Sequence, residues 1–108
     1  MKTRFDVLGL GCTAVDDLLY VAHYPPADAK ECVLARDRQC GGLTATALVA
    51  AARLGARCAY AGALGNDEAS QFVVTCLRRE KINTRHMPPR PSAKPCRSVI
   101  VVDAARHT

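Results

Sequence analysis

Three places along the chain carry residues that could do chemistry. The first is FDVLGLGCTAVDD, residues 5–17. Here an apolar run opens into G-x-G-x-x-A, the written form of a dinucleotide fingerprint in which a helix N-terminus faces a pyrophosphate. The same letters suit a strand that ends in a sharp turn toward another ligand. The second is Asp16, a carboxylate just past the end of that run, where α/β sheets bind their ligands. The third is Gly41-Gly42, two residues without side chains ahead of an apolar, alanine-rich stretch, so that backbone N–H groups can approach a ligand directly. A carboxylate that accepts hydroxyl hydrogen bonds and a turn that donates N–H groups together suit a polyhydroxylated small molecule, with sugars the obvious candidates.

Other chemistry is poorly supported. The six cysteines, Cys12, Cys32, Cys40, Cys58, Cys76 and Cys96, form no C-x-x-C pair and have no histidine at zinc-ligand spacing. They are expected to be small, buried, reduced apolar residues, since a disulfide framework goes with an export signal that is not seen. His23, His86 and His107 are separated by loops and prolines and are read as surface residues rather than bases. The net charge of +5 is uneven, because eight of the fifteen Lys and Arg residues lie from Arg78 onward against only Glu80 and Asp103. These cations are interleaved with Pro88, Pro89, Pro91 and Pro95 and lack an aromatic platform, which argues for a solvated loop and against nucleic acid. No run approaches the roughly 20 apolar residues of a membrane span, and a cytoplasmic protein without membrane partners is expected.

The elements that must position these groups can be read from periodicity. Phe5 to Leu10 predicts a first, largely buried strand. The dinucleotide reading then needs a helix directly after Gly11, whereas the sequence offers a polar turn at Asp16-Asp17 and a strand from Leu18 to Val21, answered by a half-exposed strand from Glu31 to Asp37. Gly41-Gly42 opens a helix, LTATALVAAARLG, with Leu43, Ala47, Ala50, Ala51 and Leu54 at helical spacing and Gly55 as its stop. Arg57 to Ala63 predicts a second core strand. Gly65-Asn66-Asp67 starts another helix with Phe72, Val73, Cys76 and Leu77 as its apolar stripe. Ser98 to Asp103 is strongly β-prone, with Ala104-Ala105-Arg106 as its turn. Strand, helix, strand, helix is the order of an α/β parallel sheet, interrupted here by a β excursion.

The stretch GGLTATALVAAARLGARCAYAGALGNDEAS resembles the first signature of the ribokinase-like, PfkB-type carbohydrate kinases, in outline G-G-x-x-x-N-x-A, an alanine-rich helix ending A-R-L-G, then G-x-x-G-x-D-x-x-G. GCTAVD is similar to that family's G-S-x-N-x-D, and SVIVVD resembles its later lid strand. The resemblance runs from about Phe5 to the last residue. It implies an α/β fold with a ribokinase-like three-layer αβα (Rossmann-like) core, of which the chain is the N-terminal part, core at about 5–16 and 41–87 and a small β-sheet lid at about 17–40 and 94–108. It also implies substrate binding by Asp16, at the sugar-hydroxyl-binding aspartate, by Gly41 and Gly42, at the di-glycine where the lid hinges, and by Thr46, where the signature has an asparagine.

The departures are specific. Ala14 and Thr46 stand where the family has asparagines, so two amide contacts to the sugar are lost or shortened. Ser70 replaces a glycine, and Lys81 stands where a glycine closes the second helix, a left-handed position that costs about 1 kcal/mol in any other residue. The family runs to roughly three times this length, and the resemblance places its G-A-G-D element, with the catalytic base, together with the ATP and Mg²⁺ sites, beyond Thr108. The chain alone is therefore expected to be inactive, with the outer edge of its last strand open and prone to self-association. The complete protein is expected to be an ATP-dependent kinase acting on a sugar, with a homodimer through the lid as a further implication. A non-catalytic or degenerate sugar-binding homologue and an NAD-binding oxidoreductase fragment are the competing readings.

Overall fold

The computed structural model describes residues 4–105. Its elements in chain order are β1 (Val7–Gly9), β2 (Ala14–Val21), β3 (Val33–Gly41), α1 (Leu43–Arg53), β4 (Cys58–Tyr60), α2 (Glu68–Arg79) and β5 (Cys96–Asp103). They fall into two compact units. One comprises the described residues up to Val15 together with Cys40–Cys96, and the other comprises Asp16–Gln39 with the described residues from Arg97.

In the first unit β1 and β4 pair in parallel, with Val7 opposite Cys58, Leu8 opposite Ala59 and Gly9 opposite Tyr60. Asn83 extends this arrangement by a parallel bridge to Ala59. A parallel pair needs a crossover, and α1 supplies it, packing on both strands. The core consists of Val15, Ala45, Leu48, Cys58, Tyr60, Leu64, Ala69, Val73, Leu77 and Ile82. Tyr60 is buried whole and donates its hydroxyl to the Gly11 carbonyl at 2.7 Å, so the one polar atom it takes inside keeps a partner.

The sequence places the helices correctly but misses the phase of the first. Leu43 and Leu54, expected on its apolar face, are 86% and 88% exposed, and Ala47 and Ala50 are exposed too. The buried positions are Ala45 and Leu48. A helix that is apolar nearly all round has no pattern from which to read its buried side. Here the side is chosen by Gly9, since a Cβ at that residue would come within 2.5 Å of Leu48 Cδ1 and 2.9 Å of Thr44 Cγ2. The first strand is also less buried than expected, with Val7 and Leu8 exposed and only Gly9 inside.

The second helix behaves as its letters indicate. Asp67 is the N-cap and accepts from the Ser70 N–H, while Val73 and Leu77 are buried and Phe72 and Cys76 half-buried. Ser70, where a glycine was expected, is fully buried and its hydroxyl accepts from the Gly65 N–H at 3.0 Å. At the far end, Lys81 N–H bonds to the Arg78 carbonyl and Ile82 N–H to that of Leu77, the two bonds of a Schellman cap, with Ile82 and Leu77 both buried. Lys81 takes the left-handed position of that cap with φ 62°.

The second unit is built on a three-stranded sheet in the order β3-β2-β5. Both β2 and β3 extend beyond the spans read from sequence. At the ends of the β2–β5 pair, Cys96 N–H bonds to the Thr13 carbonyl and Ala104 N–H to that of Val21, an equal advance on both strands that makes the pair parallel. β5 is an edge strand, with Val99 66% and Ile100 39% exposed. Ala104 and Ala105 form the turn beyond it, while Arg106 and His107 lie outside the described residues.

Because Lys81 is exposed and holds a left-handed backbone, Lys81→Gly is expected to raise stability by about 1 kcal/mol in urea unfolding by relieving that strain. A loss of stability would mean that unfolded-chain entropy outweighs that strain.

Candidate functional site

The residues singled out from sequence divide between the two units. Gly41, Gly42 and Thr46 lie at the junction of β3 and α1 in the first unit, and Asp16 lies in β2 in the second.

At the β3–α1 junction Gly41 is the buried last residue of β3, and Gly42 is the half-buried N-cap of α1. Gly42 has φ 94° and ψ 149°, a corner of backbone space that other residues essentially do not occupy. A Cβ there would also meet the Cys12 carbonyl oxygen and Thr13 Cα, each at 2.7 Å. The di-glycine thus lets the chain segment leaving β1 lie directly on the start of the helix. The Cys12 carbonyl takes the Thr44 N–H at 3.1 Å, so at least one N–H of the helix start is already spoken for. Thr46 is exposed one turn into α1, its N–H bonded to the Gly42 carbonyl. Sequence reading passed over Thr44, the half-buried residue whose side chain faces Gly9 and Gly11. The glycines that would have signalled its neighbourhood were the very ones first weighed as a dinucleotide fingerprint. No helix follows Gly11; β2 does.

The two adjacent acids of AVDD have different fates. Asp17 accepts from Arg38 Nε at 3.0 Å and faces Arg97 Nη2 at 3.8 Å. The Arg38 hydrogen bond, with the charges of Arg38, Arg97 and Arg36 behind it, holds the Asp17 carboxyl below its usual range. This cross-strand cluster explains why Asp17 lies inside β2 although its polarity reads as a turn: its charge is answered by the strands on either side. Successive side chains of a strand point to opposite faces, so Asp16 looks away from that cluster. It is half-buried, and its carboxylate has no hydrogen-bond or ion-pair partner among the described residues. An acceptor held partly out of water with its lone pairs unused can receive hydroxyl hydrogen bonds.

Two hollows lie nearby, one in each unit. A shallow one of about 260 Å³ is bounded by Gly11, Cys12, Thr13, Tyr60, Lys94 and Cys96 among others. Another, of about 450 Å³, follows the Asp17, Arg36, Arg38 and Arg97 cluster. Among the described residues no group of three or more His, Cys, Asp or Glu could hold a metal ion. His23 and His86 are exposed. The cysteines depart from expectation. Only Cys58 is buried, Cys40 and Cys76 are half-buried, and Cys12, Cys32 and Cys96 are exposed, because the strand ends and loops that carry them lie at the surface.

Comparison with known proteins decides what this arrangement belongs to. The model of the pfkB family carbohydrate kinases matches residues 14–108, a span that includes Asp16, Gly41, Gly42 and Thr46. The chain belongs to the pfkB family of carbohydrate kinases. Its fold is similar to that of a protein assigned as a ribokinase in Agrobacterium tumefaciens, with a TM-score of 0.79 and 29% identity over 92% of this chain and 32% of that one. It is similar in fold to the ribokinase of Thermotoga maritima, TM-score 0.77 and 21% identity over 94% and 34% of the two chains. The ribokinase of Cryptococcus neoformans, solved with ADP, gives a TM-score of 0.73 and 21% identity over 92% and 31%. The α/β architecture with its parallel and mixed sheets is therefore that of the ribokinase fold, and this family member spans about a third of the length of these solved relatives.

Two outcomes are expected from the geometry. Gly42→Ala should destabilise the chain by about 2 kcal/mol, from backbone strain and the contact with Cys12 and Thr13, as read by chemical denaturation. Asp6, Asp17, Asp67 and Glu80 all have carboxyls held below their usual range by hydrogen bonds from Arg57, Arg38, Ser70 and Arg53 respectively. Their contribution is present above the unfolded-state values near 4 and is lost as pH falls through the lower folded-state values. The thermal midpoint should therefore hold between pH 7 and about pH 5 and drop steadily below about pH 4.

Proposed function

We propose that the protein to which this chain belongs transfers the γ-phosphoryl group of ATP to a sugar hydroxyl, and that this chain supplies sugar-binding residues. The observation that carries the reading is the family match across residues 14–108, which includes a half-buried Asp16 whose carboxylate is unused. In this reading Asp16 accepts hydrogen bonds from sugar hydroxyls, and the absence of side chains at Gly41 and Gly42 brings backbone close to the ring. Thr46 offers a hydroxyl where a longer amide would reach further, so the preferred sugar is one that tolerates a shorter contact. The catalytic base, ATP and Mg²⁺ are assigned to sequence outside this chain, which makes the chain a binder and not by itself a catalyst. The exposed edge of β5 suits pairing with a second copy, consistent with a homodimer, and the cytoplasm is the proposed site of action.

Titration calorimetry of the chain against a panel of pentoses, hexoses and nucleosides is expected to find one class that binds. Asp16→Asn should weaken that binding at least tenfold, since a hydrogen bond to a charged group is worth about 1.5–3 kcal/mol. An ADP-release assay on the product of the complete reading frame is expected to show turnover with the same sugar. Binding that is indifferent to Asp16→Asn would overturn the assignment of that residue. Binding without turnover in the complete protein would favour a non-catalytic homologue.

A further inference from the structure

Cys12 and Cys96 lie 84 positions apart in sequence, yet their Sγ atoms stand 3.6 Å from each other. Both residues are exposed, and both border the shallow hollow beside Gly11 and Tyr60, so a small reagent in solution reaches them. The backbones are held together independently of the sulfurs, because the Cys96 N–H donates to the Thr13 carbonyl at 3.1 Å. A disulfide needs its sulfurs about 2.05 Å apart, an approach of about 1.5 Å that side-chain rotation at two exposed residues can supply. No other exposed cysteine has this arrangement: Cys76 meets the side chain of Cys40, but those two are half-buried. The Cys12 thiol is pushed above its ordinary range, first by its contact with Cys96 and then by desolvation, with the Leu43 backbone N–H pulling the other way.

We propose that Cys12 and Cys96 form an oxidation site at which a peroxide closes an intramolecular disulfide. One thiol reduces hydrogen peroxide, becoming a sulfenic acid as one water leaves. The second thiol attacks that sulfur, the S–S bond forms, and the sulfenic oxygen departs with a proton as a second water. Two thiols and one peroxide thus give one disulfide and two waters. The product would tie the segment leaving β1 to the start of β5. Because the Cys12 carbonyl holds the Thr44 N–H, the crosslink also bears on the first turn of α1.

The oxidation is tested without the proposed kinase activity. The native chain is treated with a small molar excess of hydrogen peroxide, alkylated, digested with trypsin and examined by mass spectrometry. The expected product has lost two of its six thiols and 2 Da, with the peptide of residues 5–30 joined to that of residues 86–97, each of which contains a single cysteine. The link should vanish under dithiothreitol, be absent in Cys12→Ser and in Cys96→Ser, and persist in Cys32→Ser. Recovery of both peptides unlinked, whether alkylated or over-oxidised, would overturn the proposal, as would pairing of either cysteine with Cys32 or preferential linkage of Cys40 to Cys76. The wild-type digest alone decides the matter if a variant fails to fold.

Discussion

The first unit depends on how closely one chain segment can approach a helix. The segment leaving β1 lies on the start of α1, with Thr13 Cα and the Cys12 carbonyl in the space a side chain at Gly42 would fill. The same closeness recurs a turn further on, where Leu48 and Thr44 occupy the room left by Gly9. At Gly42 backbone meets backbone, and at Gly9 helix side chains fill the space above the strand, and close packing of this kind tolerates no added methyl. Three neighbouring contacts inherit that placement: the hydrogen bond from Thr44 to Cys12, the Tyr60 hydroxyl on Gly11 and the thiol pair at Cys12 and Cys96.

In the second unit electrostatics takes the part that burial plays in the first. A three-stranded sheet with most of β3 and β5 exposed, Val33, Leu34, Val99 and Ile100 among them, buries little of its apolar surface. Its central strand carries two consecutive carboxylates, which strand geometry sends to opposite faces. One is matched by guanidinium groups from both neighbouring strands, so its charge supports the pairing. The other is left unmatched in a half-buried position. A half-buried carboxylate without a partner in the sheet can accept hydrogen bonds from a ligand, the reading proposed for Asp16.

Membership of the pfkB family gives that reading its chemistry, and the departures from the family pattern are accommodated in different ways. Ser70 turns a missing glycine into a buried hydrogen bond to Gly65 N–H. Lys81 accepts the left-handed backbone of a Schellman cap whose other parts, the paired Leu77 and Ile82, are intact. Neither change disturbs the fold. Thr46 is different in kind, since it is exposed and changes only what can be reached from the helix surface.

From the sequence alone came the element order, both helices with their stops, the parallel α/β class, the family and the left-handed strain at Lys81, because periodicity, capping residues and glycine spacing are local properties of the chain. The buried face of α1 was not legible, since a helix apolar nearly all round carries little phase until Gly9 selects Leu48. The strand character of Asp17 was hidden for a related reason: an acid there reads as a turn until Arg38 and Arg97, distant in sequence, arrive from the neighbouring strands. The exposure of Cys12 and Cys96 and their mutual contact were likewise decided only by folding, because spacing along the chain says nothing about a pairing that the parallel alignment of β2 and β5 creates.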